Sequence, residues 1–191
     1  MWIWMILMNF IPAQKQDVVL TPTIEWTETS KLPVASTIYY SKERPLIWSD
    51  FKGAPQLQGR SAAITVSGFG YTAGIYRSDE QNTIHIKVYC FFDKEKSWVK
   101  PDRKTPYVLK HEQLHFDISY LATLEFVKKV RETRFTDKNY KTLLPALYDE
   151  GVKAMHRMQD EYDTDTRNGL EPDIQVKWNE RIDNAVREAK F

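Results

Sequence analysis

The chain has 191 residues, enough for one sizeable hydrophobic core and short for two. Apolar residues make up 42%, with six Trp, ten Tyr and nine Phe, which excludes a disordered chain. A net charge of +1, with Lys and Arg dispersed rather than in a stripe, argues against nucleic acid as a partner, and a lone cysteine, Cys90, excludes a disulfide framework or a cysteine-rich zinc site.

The chain opens with an apolar run from Met1 to Ile11, followed by Pro12-Ala13-Gln14-Lys15. The run is too short to span a bilayer as a helix and fits the apolar region of a secretory signal peptide covering residues 1–13, cleaved after Ala13. No Lys or Arg precedes it, so the terminal amine alone supplies the positive end; the alternative is a buried N-terminal strand. The expectation is export, periplasmic or secreted, with no stable membrane insertion once the signal is removed. Residues 14–38 are polar and Thr-rich and carry Pro22 and Pro33, which reads as an extended lead-in to a single domain over 39–191.

A short strand and a Gly/Pro turn are expected between Ser36 and Pro55. Two β-rich stretches follow, Ala62 to Tyr76 and Thr83 to Phe92. In the second, Ile84, Ile86, Val88, Cys90 and Phe92 alternate with His85, Lys87, Tyr89 and Phe91, so Cys90 reads as a buried, inert thiol. Asp79-Glu80-Gln81-Asn82 supplies a polar turn between them, which predicts an antiparallel hairpin or meander. After Pro101 the period becomes helical. Thr105-Pro106 starts a helix running to about Arg131, a second covers Asn139 or Tyr140 to about Asp163 with Gly169 beyond its end, and a third follows Pro172-Asp173. Strands first and helices afterwards predict an α+β fold.

The first helix carries His111-Glu112-Gln113-Leu114-His115. One helical turn separates the histidines, so both imidazoles can reach one metal, with Glu112 between them as general base. At about 100° per residue, His111 and His115 fall in the middle of an apolar stripe with Tyr107, Val108, Leu114, Ile118, Ala122 and Phe126. Buried imidazoles need partners, and a shared Zn2+ satisfies both at once. Glu112 projects at the rim of that stripe, and Asp117 on the far side.

Catalytic zinc needs a third protein ligand and an open position. No Gly and third His follow in Leu121–Phe126, and Glu125 is on the correct face but about 15 Å along the axis. The ligand is therefore expected from the second helix, where Asp163 borders the apolar stripe; His156 and Asp165 are the alternatives.

Together with Leu46-Ile-Trp48-Ser-Asp50-Phe51-Lys-Gly53-Ala-Pro55, Ser97-Trp98-Val99, Tyr162-Asp163-Thr164-Asp165-Thr166, Gly169, Gln175 and Trp178, the motif resembles the bacterial domain-of-unknown-function 922 family, described as secreted zinc-dependent proteases. The likeness implies a zincin-like active-site helix approached by the Tyr162-Asp163 segment. Many members carry His where this chain has Asn168.

The expected function is that of an exported zinc metallopeptidase acting on a peptide or protein substrate, with His111, His115 and Asp163 as ligands and Glu112 as base toward a zinc-activated water. Tyr162 is a candidate oxyanion donor or a packing residue. The alternatives are an amidase acting on cell-wall peptides and a secreted, non-catalytic binding module with a structural or lost zinc, presenting aromatics near Tyr39, Tyr40 and Trp48.

Overall fold

The computed structural model describes residues 17–59, 61–78 and 81–191. The expected signal segment and Asp79-Glu80 of the expected turn lie outside the described residues. Strands β1 (Val19–Trp26), β2 (Thr37–Tyr39), β3 (Ala63–Ile64), β4 (Ser67–Arg77), β5 (Asn82–Asp93) and β6 (Trp98–Val99) precede helix α1 (Pro106–Glu132). The short β7 (Phe135–Thr136) and helices α2 (Tyr140–Thr166) and α3 (Pro172–Glu188) follow. The fold is α+β, as strands followed by three helices predict.

The sheet is built on β5, whose inward residues Ile84, Ile86, Val88, Cys90 and Phe92 are at most 1% exposed. β4 pairs antiparallel along one edge of β5 from Ser67↔Phe92 to Arg77↔Asn82. β1 and β2 share the other edge, β1 parallel from Thr21↔Thr83 to Trp26↔Val88 and β2 antiparallel at Ile38↔Phe92. The sheet is therefore mixed rather than a pure antiparallel meander. Its parallel strand comes from the supposed lead-in: β1 buries only Leu20 fully, so the sequence shows no apolar alternation there. Beyond Leu20 the far edge of β1 is unpaired among the described residues, a place where a sheet tolerates Pro22.

Helix α1 lies against the sheet, and α2 and α3 pack on α1. It buries Leu114, Ile118 and Phe126 of the apolar stripe read from its sequence, with Val108 and Ala122 half-buried and Tyr107 exposed at the helix start, and a second face with Phe116, Tyr120, Thr123 and Val127. Asp117, expected on the far side, is consequently buried too, accepting hydrogen bonds from Tyr40 Oη (2.9 Å) and Gln113 Nε2 (2.8 Å). Burial pushes its carboxyl above the usual range, although both hydrogen bonds pull it back.

β3 and β6 form a separate two-stranded ribbon, Ala63↔Val99 and Ile64↔Trp98. The loop carrying Gly53 seals against the turn before β6: Gly53 N–H donates to Ser97 O at 2.8 Å, and a Cβ there would stand 2.7 Å from Glu95 O. Only glycine permits that approach. Among the described residues no helix is long and apolar enough to cross a membrane.

Candidate metal centre

Thr105 caps α1 by accepting from Val108 N–H (3.2 Å), and Pro106 occupies the first helical turn. This sets His111 and His115 in the second and third turns. α1 and α2 have 27 residues each, about 40 Å, and a short connection turns one back along the other. The end of α2 therefore returns to the histidines. Asp163 Oδ1 stands 3.1 Å from His111 Nε2 and 3.1 Å from His115 Nε2.

Those spacings test the fit to zinc. Tetrahedral zinc with bonds of about 2.0–2.1 Å needs ligand atoms about 3.3 Å apart. The three ligand atoms lie within 4.8 Å of one another, so small shifts would seat an ion. Two imidazoles and one carboxylate are also a donor set that zinc hydrolases use.

The face of His111 away from Asp163 fixes its tautomer. Its Nδ1–H donates to Gln175 Oε1 at 2.8 Å, so that Nε2, once it gives up the proton it shares with Asp163 Oδ1, turns its lone pair to a metal. Gln175 cannot flip, because its Nε2 donates to Tyr162 Oη and to Asn179 Oδ1 (2.8 Å). Tyr162 Oη in turn donates to the His111 carbonyl at 3.4 Å, and its ring stacks on His111 at 4.6 Å. One closed circuit thus ties α2 and α3 to the ligand helix. Replacing Gln175 with Ala should weaken zinc binding about 10–100-fold, measured by competition with a chromophoric chelator; unchanged affinity would show that His111 orients itself.

Electrostatics follow the same contacts. Burial opposes protonation of His111, but its bonds to Asp163 and Gln175 and the charge of Glu112 outweigh it and raise its pKa. Burial also raises Asp163, yet the two imidazoles hold its carboxyl well below the usual carboxylate range.

Glu112, expected at the rim of the stripe, is only 3% exposed. Its Oε2 is buried with no hydrogen-bond partner among the described residues. Burial raises its pKa, and the neighbouring imidazoles reduce that rise. An unsatisfied buried acceptor costs about 1–3 kcal/mol, more if charged, so its retention calls for a partner such as water or substrate. Glu112, His111, His115 and Asp163 all line one cavity of about 150 Å³, walled on another side by Ser61–Thr65 from the β3 region.

The other sequence candidates go elsewhere. His156 and Asp165 are exposed, and Asp165 accepts from Trp178 Nε1 at 3.1 Å. Tyr162 is fully buried with its hydroxyl committed, so it positions His111 and has no hydroxyl free for an oxyanion. The aromatics expected on an interaction surface are not exposed: Tyr40 is buried, and Tyr39 and Trp48 are half-buried, Trp48 against Phe51. Two site residues escaped the sequence reading of the chemistry. Gln159 Nε2 donates to the His115 carbonyl at 3.2 Å, and Gln175 orients His111. The available signal was a glutamine on the buried face of α3, in phase with Trp178 and Ile182.

Searches of family models, curated proteins and solved structures found no match to this chain. The functional reading therefore stands on the site itself.

Proposed function

We propose that this chain is an exported zinc metallopeptidase, and that it belongs with the family its motifs resemble. The observation that carries the reading is the buried, unpartnered Glu112 Oε2 in the cavity shared with the three ligand atoms. A fourth His, Cys, Asp or Glu does not join the cluster among the described residues, which favours a hydrolytic over a structural site.

His111 and His115 would hold the metal through Nε2 and Asp163 through Oδ1. Zinc bound there supplies a Lewis acid that acidifies water and polarises a peptide carbonyl. Glu112 Oε2 takes the proton that the attacking water loses and returns it to the leaving amine nitrogen. Its carboxyl lines the same cavity as the ligand atoms, where it can accept and then release that proton. Gln175 and Tyr162 keep the His111 ring in place throughout.

The test is a digest of a diverse peptide mixture, including cell-wall peptides, by zinc-loaded protein. Cleavage should stop with chelator and return with zinc. A folded protein carrying one zinc per chain that cleaves nothing in the mixture would sink the reading and leave a binding module in its place.

A further inference from the structure

A second cavity of about 550 Å³ adjoins the metal cavity, and the two share Ser61, Ala62, Asp163 and Asn168. Among the described residues three cations line it, Lys100, Arg103 and Arg167, and one acid, Asp163, whose Oδ1 faces the histidines. The cations come from two elements. Lys100 and Arg103 belong to the turn after β6, and Arg167 caps the end of α2. Arg167 and Asn168 have φ values of 49° and 56°, a left-handed conformation that Asn adopts readily and Arg rarely. The turn is clamped to α1 all the same: Tyr107 Oη donates to Gly169 O at 2.8 Å, and a Cβ on Gly169 would stand 3.4 Å from His111 Nδ1. This left-handed helix ending thus holds Arg167 beside the metal site.

Neither guanidinium has a strong partner. Arg103 meets Asp102 at 3.4 Å and Arg167 meets Glu171 at 3.1 Å, with all four side chains at least 44% exposed. Exposed pairs of this kind exchange readily for a better anion. Lys100 Nζ donates to the Gly59 carbonyl and forms no ion pair among the described residues. Among the described residues three cations face a single acid that two imidazoles already hold, and such a cleft attracts a negative group.

We propose that this cleft binds a carboxylate of the peptide substrate, taken chiefly by Arg103 and Arg167. The identity of the ligand as a peptide rests on the peptidase reading; the preference for an anion rests on the cleft. Guanidinium groups pair with carboxylates through two parallel N–H donors, which adds orientation to attraction. The carboxylate could come from an acidic side chain or from the end of a chain, and the cleft chemistry is the same.

The experiment uses zinc-loaded Glu112→Gln protein, which should bind without turnover, and three fluorescent peptides of one sequence. One is neutral with an amidated end, one carries an internal Glu, and one has a free terminal carboxylate. Anisotropy should show at least one acidic peptide binding tenfold or more tightly than the neutral one. Which of them does so identifies the source. The advantage should vanish in Arg103→Glu/Arg167→Glu, checked for unchanged zinc content and melting temperature, and should shrink with added salt when the cleft is unaltered. Salt dependence reads the charge contribution even if the double variant misfolds. Equal or undetectable binding of all three peptides, or a preference that survives charge reversal, overturns the proposal. Wild-type protein separates the two readings: cleavage of the diverse peptide mixture without acid-selective binding keeps the peptidase and discards the cleft, whereas acid-selective binding with no cleavage anywhere in that mixture keeps the cleft and discards the peptidase.

Discussion

Glu112→Gln should lower peptide hydrolysis by about 10²–10⁴-fold while zinc content stays at one per chain. The substitution keeps shape and volume but removes the group that accepts the proton. The metal should remain because the cluster of ligand atoms comprises His111, His115 and Asp163 without Glu112. A stability signature accompanies the loss. Burial raises the Glu112 carboxyl above its unfolded value, even though the imidazoles work against that rise. Its contribution to stability is thus full below the unfolded pKa and is lost as pH rises through the folded one. Gln removes this loss, so metal-free variant should melt at or above metal-free wild type near neutral pH and lose its advantage in acid. Rates on a peptide mixture and thermal melts across pH check both parts. A zinc-loaded Glu112→Gln protein that still cleaves peptides would remove Glu112 from the mechanism.

The site was legible where the chain obeys one simple period. An i, i+4 histidine pair on an apolar helical face needs only the pitch of the helix to be placed. Asp163 was one of three residues on the second helix that the apolar stripe allowed, beside His156 and Asp165, and the return of α2 along α1 brings it to the histidines. Two helices of 27 residues folded back on each other set Asp163 opposite His111, and Gln159 opposite His115. The rest required tertiary context. β1 hides in a polar Thr/Pro stretch because only Leu20 is fully buried, and its parallel partner lies more than fifty residues onward. The burial of Glu112 and Asp117 is invisible to a single-stripe projection, since α1 is enclosed by the sheet and by two helices. Gln175 acts across a distance that sequence does not reveal: it meets His111 from a separate helix, and its value lies in which way its amide faces. The cationic cleft is likewise a product of folding, assembled from the ends of elements that no motif connects.

Zinc should raise the melting temperature of the wild type, and His115→Ala should abolish that response. Free zinc at about 100 times its dissociation constant stabilises a one-site protein by about 2.7 kcal/mol. For a domain of this size, that corresponds to about 5–11 °C. The chelated wild type should nonetheless stay folded, because its core of β5, α1 and flanking aromatics does not pass through the ligands. Without metal, Asp163 Oδ1 bridges the two imidazoles at 3.1 Å each, which keeps the helix hairpin closed. His115→Ala removes one arm of that bridge and one ligand together, so its melting point should fall and ignore zinc. Protons compete for the same atoms. His111 gains protonation from Asp163, Gln175 and Glu112 despite its burial, and zinc must displace the proton on Nε2. Zinc affinity should therefore decline as pH falls, starting above the usual imidazole range. Calorimetric melts with and without zinc, at neutral and mildly acidic pH, read all of these effects. A wild-type melting point indifferent to zinc at neutral pH would mean that two histidines and an aspartate close this hairpin by hydrogen bonding alone, and that Glu112 has no metal to serve.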